Sequence, residues 1–275
     1  MKLITHGPDL AAEVPGFSLA DTFDCGQCFR WERREDGFRG VCLGRSLTVA
    51  QEGDRLWFRN TSREEFEERW VPYFDLEEDY AALNRTYSAD PTLAEACRYA
   101  GGIRILRQEP WEALCSFIIS QNNNIPRIKG IISRLCQNFG EPAGDDWAFP
   151  GPERLAELAV EELSPLRAGF RAKYILDAAR KVAGGQVDLQ IVSGLSLEDA
   201  RRELQKIAGV GPKVAECALL YGFHRLDAFP VDTWIKKALA RYYPEGFPAV
   251  PCAGVAQQYL FHYIRNIRTA SGEPQ

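Results

Sequence analysis

Between residue 16 and about residue 60, apolar and polar positions alternate, and turn signals cut the alternation. In "FRWERREDGFRGVCLGRSLTVAQEGDRLWFRN", Asp36-Gly37 and Glu52-Gly53-Asp54 each stand between two strand-like runs. That arrangement predicts an antiparallel sheet built from hairpins. From about residue 62 the period changes. "SREEFEERWVPYF", "WEALCSFIISQ", "IPRIKGIISRLCQNFG", "ERLAELAVEEL" and "AKYILDAARKVAGG" repeat their apolar residues at helical spacing, as helices with one buried face do. No second β-rich region, internal repeat or low-complexity linker interrupts the series. The pattern predicts an α+β protein, with an N-terminal antiparallel β-sheet domain and flanking helices over 1–95 and an all-helical core over 96–275. The tail "TASGEPQ" is expected to be disordered.

One helical stretch contains an unusual break. Ser196 opens it as a capping residue, and Leu197, Ala200, Leu204 and Ile207 follow at helical spacing. Then comes "GVGPKVAEC", Gly209 to Cys217. Gly209 ends the first helix, Gly211 keeps the turn free of side chains, and Pro212 suits the first turn of the next helix. The segment 204–217 therefore reads as helix, tight hairpin, helix, with backbone N–H groups aimed outward. Such groups bind a phosphate oxygen. A nucleotide loop would need Ser or Thr after the lysine, and Val214 stands there. A nucleic-acid backbone phosphate fits better, with a plain helical hairpin as the bland alternative.

Composition narrows the class. Of 275 residues 45% are apolar, enough for a large core or several linked ones. No stretch approaches the roughly 20 apolar residues that span a bilayer. His6, Pro8 and Asp9 break any apolar signal segment at the amino end, so the expected place is the cytoplasm, on the nucleoid if the source is prokaryotic. The net charge of −5 argues against a nucleic-acid partner until it is divided. Residues 1–100 hold 12 Lys and Arg against 19 Asp and Glu, whereas residues 101–275 hold 21 against 19. Phosphate binding needs a local basic surface rather than a basic average, and the division permits one. Eight scattered cysteines without an export signal do not suggest disulfides. Cys25-Gly26-Gln27-Cys28 lacks the second cysteine pair that zinc would require, which leaves small residues in a strand and turn.

Lys213 lies four residues before Cys217 and beside Val214, Ala215, Ala218 and Leu219. An ammonium set in apolar packing is desolvated, which favours the nucleophilic amine. Nineteen residues later, in "FPVDTWIKKALARYY", Asp232 precedes Trp234, Ile235, Ala238 and Leu239. It reads as a helix N-cap; near the lysine it is also a candidate carboxylate for stabilising a sugar cation.

"AGVGPKVAEC" followed by "FPVDTW" resembles the signature of the helix-hairpin-helix (HhH-GPD) DNA glycosylases, and within them the 8-oxoguanine DNA glycosylase branch. "GQCFRW", "SQNNNIPRIKG", "GFRAKY" and "AQQYLF" occur in that branch's order from the first strands to the last helix. The resemblance implies a sheet domain packed on a glycosylase core of two helical lobes, acting as a monomer on duplex DNA that contains 8-oxoguanine opposite cytosine. It implies base flipping, a Schiff base on Lys213, charge stabilisation by Asp232, and strand cleavage by β-elimination. Gly26 resembles the glycine whose carbonyl accepts the hydrogen on N7 of the lesion. Cys217 and Phe261 resemble the pair that sandwiches the base, and Gln257 the glutamine at its Watson–Crick edge. Asn122 matches the asparagine that fills the vacated space, and Arg127 and Arg171 the arginines that read the orphaned cytosine. Phe170 stands where a tyrosine commonly wedges, and Gly209 and Gly211 form the DNA-gripping hairpin. Two departures stand out: Trp234 replaces the usual phosphate-contacting histidine, and Gln121 stands where serine is often found.

No redox cofactor is expected, although hairpins of this family often hold a metal ion through backbone carbonyls. Endonuclease III-like enzymes share the lysine but carry a four-cysteine iron–sulfur cluster near the carboxyl end, and only Cys252 lies beyond Cys217. A monofunctional alkylated-base glycosylase would lack the lysine. A noncatalytic helix-hairpin-helix module would need neither the lysine–aspartate pair nor the asparagine run.

Overall fold

The computed structural model describes residues 1–270. Its sheet has six antiparallel strands in the order β1-β2-β6-β5-β4-β3. They are β1 (Leu3–His6), β2 (Asp9–Glu13), β3 (Trp31–Arg34), β4 (Gly37–Cys42), β5 (Arg45–Glu52) and β6 (Arg55–Phe58). The two turn signals make the β3–β4 and β5–β6 hairpins, closed by Arg34↔Gly37 and Glu52↔Arg55. The sheet begins earlier than the alternation indicates, because β2 adds to β6 with Leu10 opposite Phe58. Within the stretch read as alternating, Leu19–Asp24 is a helix whose cap Ser18 accepts from the Asp21 amide.

Leu10, Leu47, Val49, Leu56 and Phe58 bury one sheet face against Phe66, Trp70 and Phe74. A second core gathers buried residues from Tyr80 to Ile264 and also takes in Cys25 and Phe29. By packing, the division falls near residue 75 rather than at 95. The helices Tyr80–Tyr87 and Pro91–Ala100 belong with the helical core.

That core has two groups of helices. In one, Pro110–Ser120 packs on Pro212–Tyr221, and Pro152–Ala156 packs on Arg171–Ala183. In the other, the last helix, Ala253–Ala270, packs on Pro91–Ala100 and Thr233–Tyr242. "ERLAELAVEEL" is not one helix. The α-turns end at Ala156, and a 3-10 segment runs over Val160–Leu166. The Arg180 guanidinium caps the break by donating to the carbonyls of Ala156 (3.4 Å) and Leu158 (2.9 Å). The first residues of the expected disordered tail continue the last helix to Ala270, and 271–275 lie outside the described residues.

The sheet domain is tied to the helical core close to the site. Arg30 pairs with Glu112 at 3.2 Å, both largely buried, and the Lys129 ammonium donates to the Trp31 carbonyl at 2.8 Å. No helix among the described residues is long and apolar enough to cross a membrane.

Candidate active site

The hairpin is held from one side by one helix, Arg171–Ala183. Gly209 has φ +79°, and a Cβ there would meet the Tyr174 ring at 2.3 Å, so the turn accepts only glycine. One and two turns further on, Asp177 accepts the Ala208 amide at 2.6 Å, and Lys181 donates to the Lys206 carbonyl at 2.6 Å. Tyr174, Asp177 and Lys181 share a helix face by their spacing. The amides of Gly209 and Gly211 receive no intramolecular partner among the described residues.

Pro212 starts the next helix at its first turn and delivers Lys213, half-buried, to the mouth of a small cavity. The Lys213 Nζ lies 5.3 Å from the centre of the Phe117 ring, a cation–π distance. Asp232 reaches the same cavity from the start of Thr233–Tyr242. One of its oxygens caps that helix, accepting from the Ile235 amide at 2.8 Å. The capping and catalytic readings are therefore compatible, since the second oxygen remains available.

Glu216 sets the two segments against each other. It is buried, takes the Arg201 guanidinium at 2.5 Å and accepts the Phe229 amide at 2.6 Å. A single carboxylate thus joins the first hairpin helix to the loop leading to Asp232. The sequence reading missed Glu216, whose only signal was a charge set in the apolar run around Lys213.

The cavity also takes Gly26, Cys217, Gln257 and Phe261, so every residue expected around the base is brought together. Cys25, Phe117, Tyr221 and Pro230 complete its lining. The sequence reading also missed Tyr221, although Lys213, Cys217 and Tyr221 recur every fourth residue on one helix. Burial pushes the Cys217 thiol up, against the pull of the neighbouring Lys213 ammonium. It remains a thiol and does not compete as a nucleophile. The Gln257 amide nitrogen donates to the Pro230 carbonyl at 2.9 Å, while its buried Oε1 has no partner. That oxygen is an acceptor open to the cavity. The cavity measures about 50 Å³, room for about three or four waters. Among its walls, Phe261 is only partly buried.

Outside the cavity lies an open groove of about 1010 Å³ that shares Lys213 and Asp232 with it. Asn122, Phe170, Gly211 and Trp234 line this groove. Phe170 is 52% exposed and stands edge-on to Tyr174 at 5.7 Å. Asn122 is exposed in the left-handed region, φ +46°, which asparagine tolerates better than most residues. Arg127 is also exposed, one turn into the helix that Asn124 caps.

Arg171 is placed otherwise than the resemblance implies. It is buried, and its guanidinium donates to the carbonyls of Gln121, Asn122 and Ala168 rather than to the groove. Burial and the nearby charge of Arg127 lower its affinity for the proton.

All eight cysteines are thiols. No group of His, Cys, Asp and Glu among the described residues could hold a metal. The hairpin offers only backbone oxygens. The Lys206 carbonyl is taken by Lys181, whereas those of Gln205 and Val210 have no donor among the described residues.

The model of the 8-oxoguanine DNA glycosylase N-terminal domain matches residues 10–114. The model of HhH-GPD superfamily base excision DNA repair proteins matches residues 115–246. An N-glycosylase/DNA lyase of Saccharomyces cerevisiae is 33% identical over 264 residues, 85% of this chain and 70% of that protein. A Clostridium acetobutylicum 8-oxoguanine glycosylase/lyase, solved with duplex DNA containing cytosine opposite 8-oxoguanine, superposes with a TM-score of 0.90 at 37% identity, covering 98% of this chain and 99% of that one. MBOgg1, solved with a low-affinity DNA ligand, gives 0.91 at 41% identity, with 97% and 99% covered.

Proposed function

The chain belongs to the 8-oxoguanine DNA glycosylases of the HhH-GPD superfamily, base-excision repair enzymes that act as N-glycosylase and DNA lyase, and on that premise we propose how its own residues do the work. The substrate is duplex DNA with 8-oxoguanine opposite cytosine, and the damaged base is flipped into the cavity beside Lys213. With its proton passed to the free oxygen of Asp232, the Lys213 amine attacks C1′, and the bond to the base breaks with its electron pair leaving on the base, which takes up a proton. The free oxygen of Asp232 stabilises the positive charge that develops on the sugar. Opening of the sugar ring leaves a Schiff base on Lys213, from which β-elimination expels the 3′ phosphate.

The observation that carries this reading is the shared cavity, with Lys213 and Asp232 at its mouth and an unpaired acceptor, Gln257 Oε1, in its wall. The Watson–Crick edge of a guanine-type base presents N–H donors, which is what that oxygen lacks. The Gly26 carbonyl accepts the N7 hydrogen that separates 8-oxoguanine from guanine, and Cys217 and Phe261 flank the ring. In the groove, Asn122 and Phe170 take the space the base vacates, and the Gly209 and Gly211 amides grip a phosphate. Arg127, with donors only, suits the acceptors of an orphaned cytosine. Arg171 contributes to that reading through the loop it holds.

The chemistry needs no cofactor. A cation at the hairpin would rest on backbone oxygens such as those of Gln205 and Val210 and would stiffen the phosphate grip without entering the reaction. The enzyme acts as a monomer where the cell keeps its DNA, the cytoplasmic nucleoid if the source is prokaryotic. Borohydride trapping tests the assignment. Wild-type protein is expected to cross-link to 8-oxoguanine DNA, and Lys213→Gln is expected to bind the duplex without cross-linking or excision, a loss of several orders of magnitude. Equal trapping by the variant would overturn it.

A further inference from the structure

A single carbonyl can report one hydrogen only if its position is fixed, and Gly26, at φ +86°, is a residue whose backbone is otherwise free. The peptides on both sides of it are pinned. After it, Gln27 is fully buried: its carbonyl accepts from the Gln108 amide at 2.7 Å, and its own amide spans the Arg104 carbonyl (2.8 Å) and the Leu106 N–H (2.9 Å). Before it, the Cys25 carbonyl accepts from Gln258 Nε2 at 3.3 Å. Gln258 is buried, and the Tyr221 hydroxyl donates to its Oε1. The Cys25 carbonyl can only accept, so the nitrogen end of the amide must face it, and the Tyr221 hydroxyl satisfies the oxygen end that remains. The Tyr221 ring stacks on Phe117 at 5.2 Å and 21°, the same ring over which Lys213 lies.

We infer that Gln258 is a specificity-positioning residue for lesion recognition, held at its oxygen end by Tyr221 so that its nitrogen end fixes the peptide leading into Gly26. Adjacent glutamines on the last helix thus divide the work. Gln257 faces the base position, while Gln258, about 100° around the helix, holds the loop that carries the other reading group. The role rests on the reading of Gly26 as the lesion-sensing acceptor. It matters only when a base is present, since an abasic site offers the Gly26 carbonyl nothing to read.

The test compares two duplexes on the full-length protein, one with 8-oxoguanine opposite cytosine and one with an abasic site there. Gln258→Met keeps the volume and removes the donor. It is expected to slow single-turnover 8-oxoguanine excision by about tenfold to a hundredfold, the scale of a small misplacement of a reacting group, and abasic-strand cleavage by no more than about twofold. Should that variant not fold, Tyr221→Phe removes one hydroxyl and leaves the oxygen end of Gln258 unheld, and it is expected to lower the ratio of excision to abasic cleavage by about tenfold. Parallel loss of both activities, or an unmoved ratio, overturns the positioning role. Wild-type protein that cleaves the abasic site but leaves 8-oxoguanine in place is a different result, and it overturns the reading of the site beneath it.

Discussion

The base cavity and the loop facing the opposite strand differ in how far each is built before DNA arrives. Around the cavity, Gly26, Cys217 and Gln257 come from three separate segments, and Glu216, Gln27 and Gln258 hold those segments by buried hydrogen bonds. Around the groove, Asn122 and Arg127 are exposed, the backbone of Asn122 is left-handed, and Arg171 alone bonds to the carbonyls of Gln121 and Asn122. On the function proposed above, the lesion would be read by segments already held in place, and the opposite base by exposed side chains, which can change rotamer on binding.

The sharpest way to probe the cavity half is Asp232→Asn. It keeps an oxygen for the Ile235 cap and removes the charge, so excision is expected to fall about 10²–10³-fold while the melting temperature changes little. A variant at wild-type rate would reduce Asp232 to a cap. The two arginines test the other half. Arg127→Ala is expected to shrink the preference for cytosine by about 1–3 kcal/mol, read from single-turnover rates opposite each of the four bases. Arg171→Ala strips donors from three carbonyls and is expected to lower stability by about 1–3 kcal/mol and slow excision uniformly. If its rates separate by opposite base as those of Arg127→Ala do, the contrast between the two regions fails.

The smallest effect concerns the frame behind Gly26. His262, next to Phe261 and with Nε2 at 3.7 Å from the Asp21 carboxyl, holds that carboxyl below its usual value of 3.8, with burial opposing and the Ser18 hydroxyl assisting. A depressed carboxylate stabilises the fold above its unfolded value and loses that contribution as pH falls through the folded one. Wild-type protein is therefore expected to soften below about pH 4. Asp21→Asn should flatten that acid limb by under about 1 kcal/mol, since Asp21 is 42% exposed. Melting curves across the acid range would show it.

Much of this was legible in the chain. Asp36-Gly37 and Glu52-Gly53-Asp54 announced two hairpins because such turns need residues that tolerate unusual backbone angles. Lys213 and Asp232 were legible because each opens a helix with local signals, a proline in one case and a capping side chain in the other. Strands β1 and β2 were not, being too short for a period to show. Nor was the break at Ala156, which Arg180 secures from another helix. Phe117 and Gln258 join the site only through tertiary packing, which no local spacing encodes. Arg171 was named for the groove by resemblance, while the fold spends its donors on a loop.

The unpaired oxygen of Gln257 has a thermodynamic consequence. In the free protein that oxygen is left to the water of the cavity, whereas a base that supplies an N–H meets it in a fixed geometry, a contribution of about 0.5–1.5 kcal/mol. That contribution enters as tighter binding and so as a larger mass-action stabilisation. The damaged duplex should accordingly raise the melting temperature more than an undamaged duplex at equal concentration, and Gln257→Met should narrow the gap between them.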